Sequence, residues 1–412
     1  MTTYTVEEMK IKIQDPKEQY QVLLWTENAL RPLADPAEYE RLCKMEEFQL
    51  TPEIFKAIFV AMNPFAAGGS PGHDQGHHMR DILGVAAIIG NDQEIAKAYH
   101  NDVIAGLIAG AFHDAGCSFM PRYKDGDGWI GHDLGGAKIL YDMLEGLVPE
   151  HIRLLASYAV ACHTHALNPM TTKIGYIRQP WEDRLFYNLG RPIRVAVWLT
   201  RFADRLDTNG VTLMARHIVA QLDSYVYKGV DLSGTTTYVA DDLMLKLLLK
   251  PQPIMEEKTP STLKHIANFA ASNDQAKIGA YNQHDARFPT MNRLITEKAK
   301  QAVKLGEVIG NNEKTILDTL LPKSNASVID SQFFWDFLKK VAVTEDVEAV
   351  HSSFIAVWDN LTPDEQNQWI AGIKFANKEY DSWVGLLKFK VKNATNPMID
   401  SLIPTIMEIV NL

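Results

Sequence analysis

A chain of 412 residues is longer than one hydrophobic core usually grows, so two or three compact units are expected. Its 46% hydrophobic and 22% charged residues exclude a disordered chain, and a net charge of −10 excludes bulk attraction to nucleic acid or anionic lipid. Three cysteines, Cys43, Cys117 and Cys162, exclude a disulfide scaffold and fit a reducing, cytoplasmic setting.

The opening MTTYTVEEMKIKIQDPKEQY has no basic start followed by an apolar block, so no secretory signal is expected. Apolar stretches such as VIAGLIAGAF are half the ~20 residues a membrane-spanning helix needs. Helical patterning dominates, and the expected class is all-α. QLTPEIF (49–55) offers Thr51 as a cap with Glu53 behind it, closing an N-terminal helical lead of residues 1–55. IAKAYHNDVIAGLIAGAF (95–112) is a long apolar run rich in Ala, Leu and Ile within this helical patterning, and GGAKILYDMLEGL (135–147) shows apolar spacing of three and four. RPIRVAVWLTRFADRLDT (191–208) places a Pro just inside its start and predicts about five helical turns. These segments form a central unit of residues 56–225. Beyond it, TTTYVADDLMLKLLLK (235–250) soon reverts to helical spacing. Pro-containing breaks at KPQPIMEEKTPST and TLLPKSNASV divide a C-terminal helical region of residues 226–412. Trp335, Trp358, Trp369 and Trp383 lie there in helical patterns, which suit a core or a surface for a protein partner.

Nine of the thirteen histidines fall between residues 73 and 165, and that crowding singles out the central unit for metal chemistry. Imidazole and carboxylate are the usual ligands of zinc, manganese and iron. GHDQGHHMRDI carries His73, His77 and His78; AFHDAG carries His113 and Asp114; WIGHDLGGAKIL carries His132; VACHTHAL carries His163 and His165; RFADRLD carries Asp204 and Asp207. The positions fall on separate predicted helices, each able to point a ligand at one centre.

In this order the motifs resemble the HD superfamily of metal-dependent phosphohydrolases, over roughly residues 73–210. HDQGHHMRD is similar to the family's first-ligand helix, with His77 three residues before Arg80. FHDAG looks like the defining pair followed by Gly. HDLGGAKIL is similar to the segment after that pair in the bimetallic phosphodiesterase branch, and FADRLD to its distal Asp helix. The resemblance implies an HD-type helical bundle with one divalent ion held by His77, His113, Asp114 and Asp204. Asp114 would bridge to a second ion on His132 and His163. It also implies hydrolysis of a phosphate ester by metal-bound hydroxide, a phosphodiester in a nucleotide or nucleotide-derived molecule being the first expectation. Open beside it stand a mononuclear nucleotidase, an effector-type phosphodiesterase acting on protein-linked phosphoribosyl groups, and a non-catalytic metal- or nucleotide-binding adaptor. The ion is left open among Mn, Fe, Mg, Zn and Ni. Four features differ from the bimetallic branch: its Gly-Tyr-Pro signature is absent, His163-Thr164-His165 stands in place of its paired histidines, Cys117 stands where it has Lys, and the stretch between His113 and His132 is shorter.

Other residues carry narrower expectations. Arg201 is three residues before Asp204 and Asp207 three after, so both share its helical face. Arg201, Arg80 and Lys138 are the candidate phosphate-binding cations. His73, one turn from His77, is a candidate general acid, or alternatively a hydrogen-bonding residue of the loop before the helix. Asp125 and Asp127 match the middle of a calcium loop, but Tyr123 and Leu134 occupy its end positions, leaving a Gly-rich turn or a flap. Cys117 and Cys162 read as small packing residues.

Overall fold

The helices of the N-terminal lead are set by Asp-Pro pairs. Asp15 accepts a hydrogen bond from the Lys17 amide and Pro16 opens α1 (Pro16–Trp25); Asp35 and Pro36 do the same for α2 (Pro36–Cys43). Proline at the first helical position loses no hydrogen bond, and the Asp oxygen satisfies an amide that the helix cannot. A π turn (Thr26–Leu30) and a 3-10 turn (Arg31–Ala34) join the two. The computed structural model describes residues 15–67, 75–118, 131–163, 191–207 and 384–411. Thr51 accepts from the Ile54 amide at 3.3 Å at the start of α3 (Pro52–Ala67), as its sequence predicts.

Next come α4 (Gln75–Asn91), the single turn α5 (Gln93–Ala96) and α6 (His100–Phe112). The apolar run 95–112 is therefore two helices rather than one. Asn101 explains the break: its Nδ2 donates to the carbonyls of Cys43, Met45 and Glu46, and its Oδ1 accepts from the Phe48 amide. Those bonds to a distant loop fix where α6 starts. From Asn101 to Phe112 every residue of α6 is buried, with α4 and α8 packed against it. Then follow α7 (Gly131–Met143), α8 (Glu150–Ala161) and α9 (Val195–Asp207).

The sequence predicts α9 from residue 191, yet Arg194 sits at φ 59° and the helix starts one residue later. A non-glycine residue there costs roughly 1–2 kcal/mol. Tertiary bonds hold it: Arg194 donates to the carbonyls of Leu33 and Ala34, while buried Asp102 accepts from the amides of Val195 and Ala196. The chain's last segment is helical at residues 384–392 (α10), Pro397–Asp400 (α11) and Ile403–Ile409 (α12).

Among the described residues there is no strand, and the fold is all-α. No described helix is long and apolar enough to cross a membrane. The chain divides into two compact units. One takes in Met1–Leu206 and Leu386–Leu412, and nearly all the described residues belong to it. The final helices thus share a unit with the histidine-rich segment and with the N-terminal lead. The calcium-loop match and the four C-terminal tryptophans lie outside the described residues.

Candidate metal centre

Five helices deliver polar side chains to one buried place. His77 comes from the first turn of α4, and His113 caps the C-terminus of α6 with Asp114 directly behind it. His132 is the second residue of α7, His163 follows the end of α8, and Asp204 lies on α9. His77 and His113 are fully buried, and Asp114 and His163 are 2% exposed.

Asp114 is the centre of the arrangement because its two oxygens face different partners. Oδ2 lies 2.9 Å from His77 Nε2 and 3.4 Å from His113 Nε2. Asp204 Oδ1 stands 4.0 Å from the same His113 nitrogen. The ligand atoms of these four residues all lie within 4.8 Å of one another and could hold a metal ion. Oδ1 turns the other way, 3.3 Å from His132 Nε2 and 3.4 Å from His163 Nε2, which are themselves 3.1 Å apart. Cys117 Sγ stands 3.8 Å from that oxygen.

The imidazoles are oriented for the purpose. His113 Nδ1 donates to the Gly110 carbonyl at 3.1 Å, and His163 Nδ1 to the Val160 carbonyl at 2.5 Å. With Nδ1 carrying the proton, each Nε2 presents a lone pair to the Asp114 carboxylate. Two acceptors facing one another are unfavourable without a proton or a cation between them. His113 Nε2 makes no hydrogen bond among the described residues although it is fully buried. A buried nitrogen left in this way fits a missing cation.

Charge supports the same reading. Burial works against the His113 imidazolium, but Asp114, Asp81 and Asp204 override it and push the ring up to about 9. At His163 burial dominates and holds the ring down at about 4. His132 is raised because Asp114 outweighs its desolvation. Without a metal the carboxylates therefore draw protons onto neighbouring rings, and a bound cation would displace them.

Asp81 is the residue that sequence reasoning passed over. It is 1% exposed, with Oδ2 3.1 Å from His77 Nε2 and 3.7 Å from His113 Nδ1. Its spacing of four from His77 on one helix was the available signal.

The remaining predicted residues are placed as follows. Arg201 is buried and donates from Nη1 to the Cys162 carbonyl at 3.0 Å, which secures the end of α8 beside His163. Arg80 is buried on α4. Lys138 is engaged elsewhere: its ammonium lies 2.5 Å from Asp142 and over the Trp25 ring. His73, His165 and the side chain of Asp207 lie outside the described residues. Cys162 is fully buried, and desolvation pushes its thiol up to about 12, as a packing residue would show.

Two close approaches bring the parts together. A Cβ on Gly116 would run into the His132 carbonyl oxygen and come within 2.7 Å of the Gly136 amide nitrogen. A Cβ on Gly106 would lie 2.6 Å from Leu199 Cδ1 and 2.9 Å from Ala196 Cα on α9. Only glycine lets the turn after Asp114 touch α7 and lets α6 touch α9. No protein-family model, curated protein or solved structure matches the chain.

Proposed function

We propose that this chain is a divalent-metal-dependent phosphohydrolase of the HD type, hydrolysing a phosphodiester in a small nucleotide or nucleotide-derived molecule. One observation carries the reading: the two oxygens of a single buried carboxylate, Asp114, face two separate sets of imidazole nitrogens. His77, His113, Asp114 and Asp204 would hold one ion, and Asp114 with His132 and His163 a second. Such ions, when bound, supply Lewis acidity toward a phosphoryl oxygen and acidify a water.

The chain's own residues contribute position and exclusion. The Nδ1 bonds of His113 and His163 fix ring orientation, which otherwise costs metal affinity. Burial of His77, His113 and His163 keeps bulk water from the donor atoms and strengthens their electrostatics. Arg201 holds the chain beside His163 through the Cys162 carbonyl, a positioning role. The motif order noted in the sequence supports the diester, since the Gly-Ala-x-Ile-Leu segment after His132 is that of the bimetallic branch.

Metal content of protein purified without chelator tests the reading first. At least one equivalent of transition metal is expected, lost in Asp114→Ala. Less than one equivalent, unchanged in that variant, would remove the proposal. With metal supplied, an aryl phosphodiester should turn over faster than an aryl phosphomonoester. The reverse order would assign the site to monoesters, and no turnover of either would leave a binding module.

A further inference from the structure

Cys117 lies in the 3-10 turn Ala115–Ser118, closed by the Cys117 amide donating to the Asp114 carbonyl at 2.8 Å. This turn places its sulfur 3.8 Å from Asp114 Oδ1, the oxygen that faces His132 and His163. Donor atoms of Asp114, Cys117 and His132 all lie within 4.8 Å of one another. We propose that Cys117 is the fourth ligand of the second ion, completing a tetrahedral site of two imidazoles, one carboxylate oxygen and one thiolate that takes zinc or a similar borderline-soft metal. This rests on the two-ion reading of Asp114 given above.

Four of the six edges of such a site are seen, at 3.1 to 3.8 Å, and Cys117 Sγ lies within 4.8 Å of a His132 ring nitrogen. Zinc bonds of about 2.0–2.2 Å to nitrogen or oxygen and about 2.3 Å to sulfur give ligand-to-ligand edges of roughly 3.3–3.6 Å. The observed separations are 3.1 Å for His132 Nε2 to His163 Nε2, 3.3 and 3.4 Å from these nitrogens to Asp114 Oδ1, and 3.8 Å from that oxygen to Cys117 Sγ. Next to this cluster, on the Oδ2 side of Asp114, His113, whose ring centroid is 4.7 Å from that of His163, keeps a fully buried Nε2 without a hydrogen bond among the described residues. On binding, the Cys117 thiol gives its proton to solvent and the sulfur bonds the ion.

The other set, of two imidazoles and two carboxylates, has no sulfur. The two positions therefore differ in softness. Thiolate selects zinc over magnesium or calcium, whereas the oxygen-richer set tolerates harder ions. The thiolate stands where the resembling branch has a Lys.

Cobalt(II) loading of the metal-free full chain tests this, because a thiolate bound to cobalt gives a near-ultraviolet charge-transfer band. Wild type is expected to bind two equivalents and show the band. Cys117→Ser should lose it, while Cys43→Ser should keep it. Two bound ions without the band would overturn the role of Cys117 and leave the two-ion reading standing. One ion or none, without the band, would overturn both. As a readout needing no variant, Cys117 should alkylate readily in metal-free protein and at least tenfold more slowly with two equivalents of zinc. An unchanged rate would also overturn the assignment.

Discussion

Asp114 is effective because a carboxylate has two oxygens and the turn that carries it is buried, so neither oxygen is spent on bulk water. Asp81 adds a second negative charge between His77 and His113. Groups that surround metal ligands typically change affinity by 10–100-fold when removed. Asp81→Asn is therefore expected to weaken metal binding by about that factor, measured by competition with a chromophoric chelator. His78 offers a different test. It is buried, donates from Nδ1 to the Ala111 carbonyl, and desolvation holds its ring down at about 3. The unfolded chain binds a proton there near 6.5, so the contribution is complete above that pH and is lost as pH falls toward 3. At pH 5 the loss is roughly 2 kcal/mol. Denaturation of metal-free protein at pH 7.5 and pH 5 should show His78→Asn losing less stability than wild type by about that amount.

Between elements, the decisive contacts are those that admit no side chain. Gly116 lets the Asp114 turn meet α7 backbone to backbone, which sets the His132 to Asp114 distance. Gly116→Ala is expected to destabilise the fold by about 3 kcal/mol and to impair metal binding. Denaturant midpoints and metal stoichiometry measured together would check it, and unchanged values in both would contradict the geometry. Asp102 performs the matching task for α9. Its carboxylate is buried, accepts two α9 amides and the Tyr39 hydroxyl, and so anchors the helix that carries Asp204. Asp102→Ala leaves those donors buried without an acceptor, at a cost of about 3 kcal/mol, and should lower metal affinity through Asp204.

At the scale of the whole molecule, the ends of the chain support the centre. The amides of Thr395 and Asn396 both donate to the Gly90 carbonyl at the end of α4, and Asn91 donates to the Lys390 carbonyl. Ile399, Leu402 and Ile406 are fully buried in the same unit as His77. Leu402→Ala is expected to cost about 3 kcal/mol of that unit's stability, seen as a lowered midpoint in chemical denaturation. The ion pair Lys56–Glu408 is exposed and contributes little by comparison.

By itself the sequence determined the helical class and the ordered series of His and Asp residues, because apolar spacing and side-chain chemistry are local properties. His77, His113, Asp114 and Asp204 are named by their types and order, and the fold brings them together. What the tertiary structure decided is where helices begin and what each donor atom faces. Hydrogen bonds that Asn101 and Arg194 donate to distant backbone, and that Asp102 accepts from it, divided one apolar run into two helices and shortened one predicted helix. Asp81 and Cys117 entered the centre for the same reason. Their partners are set by how α4, α6 and α7 cross, and crossings depend on packing between residues far apart in the chain.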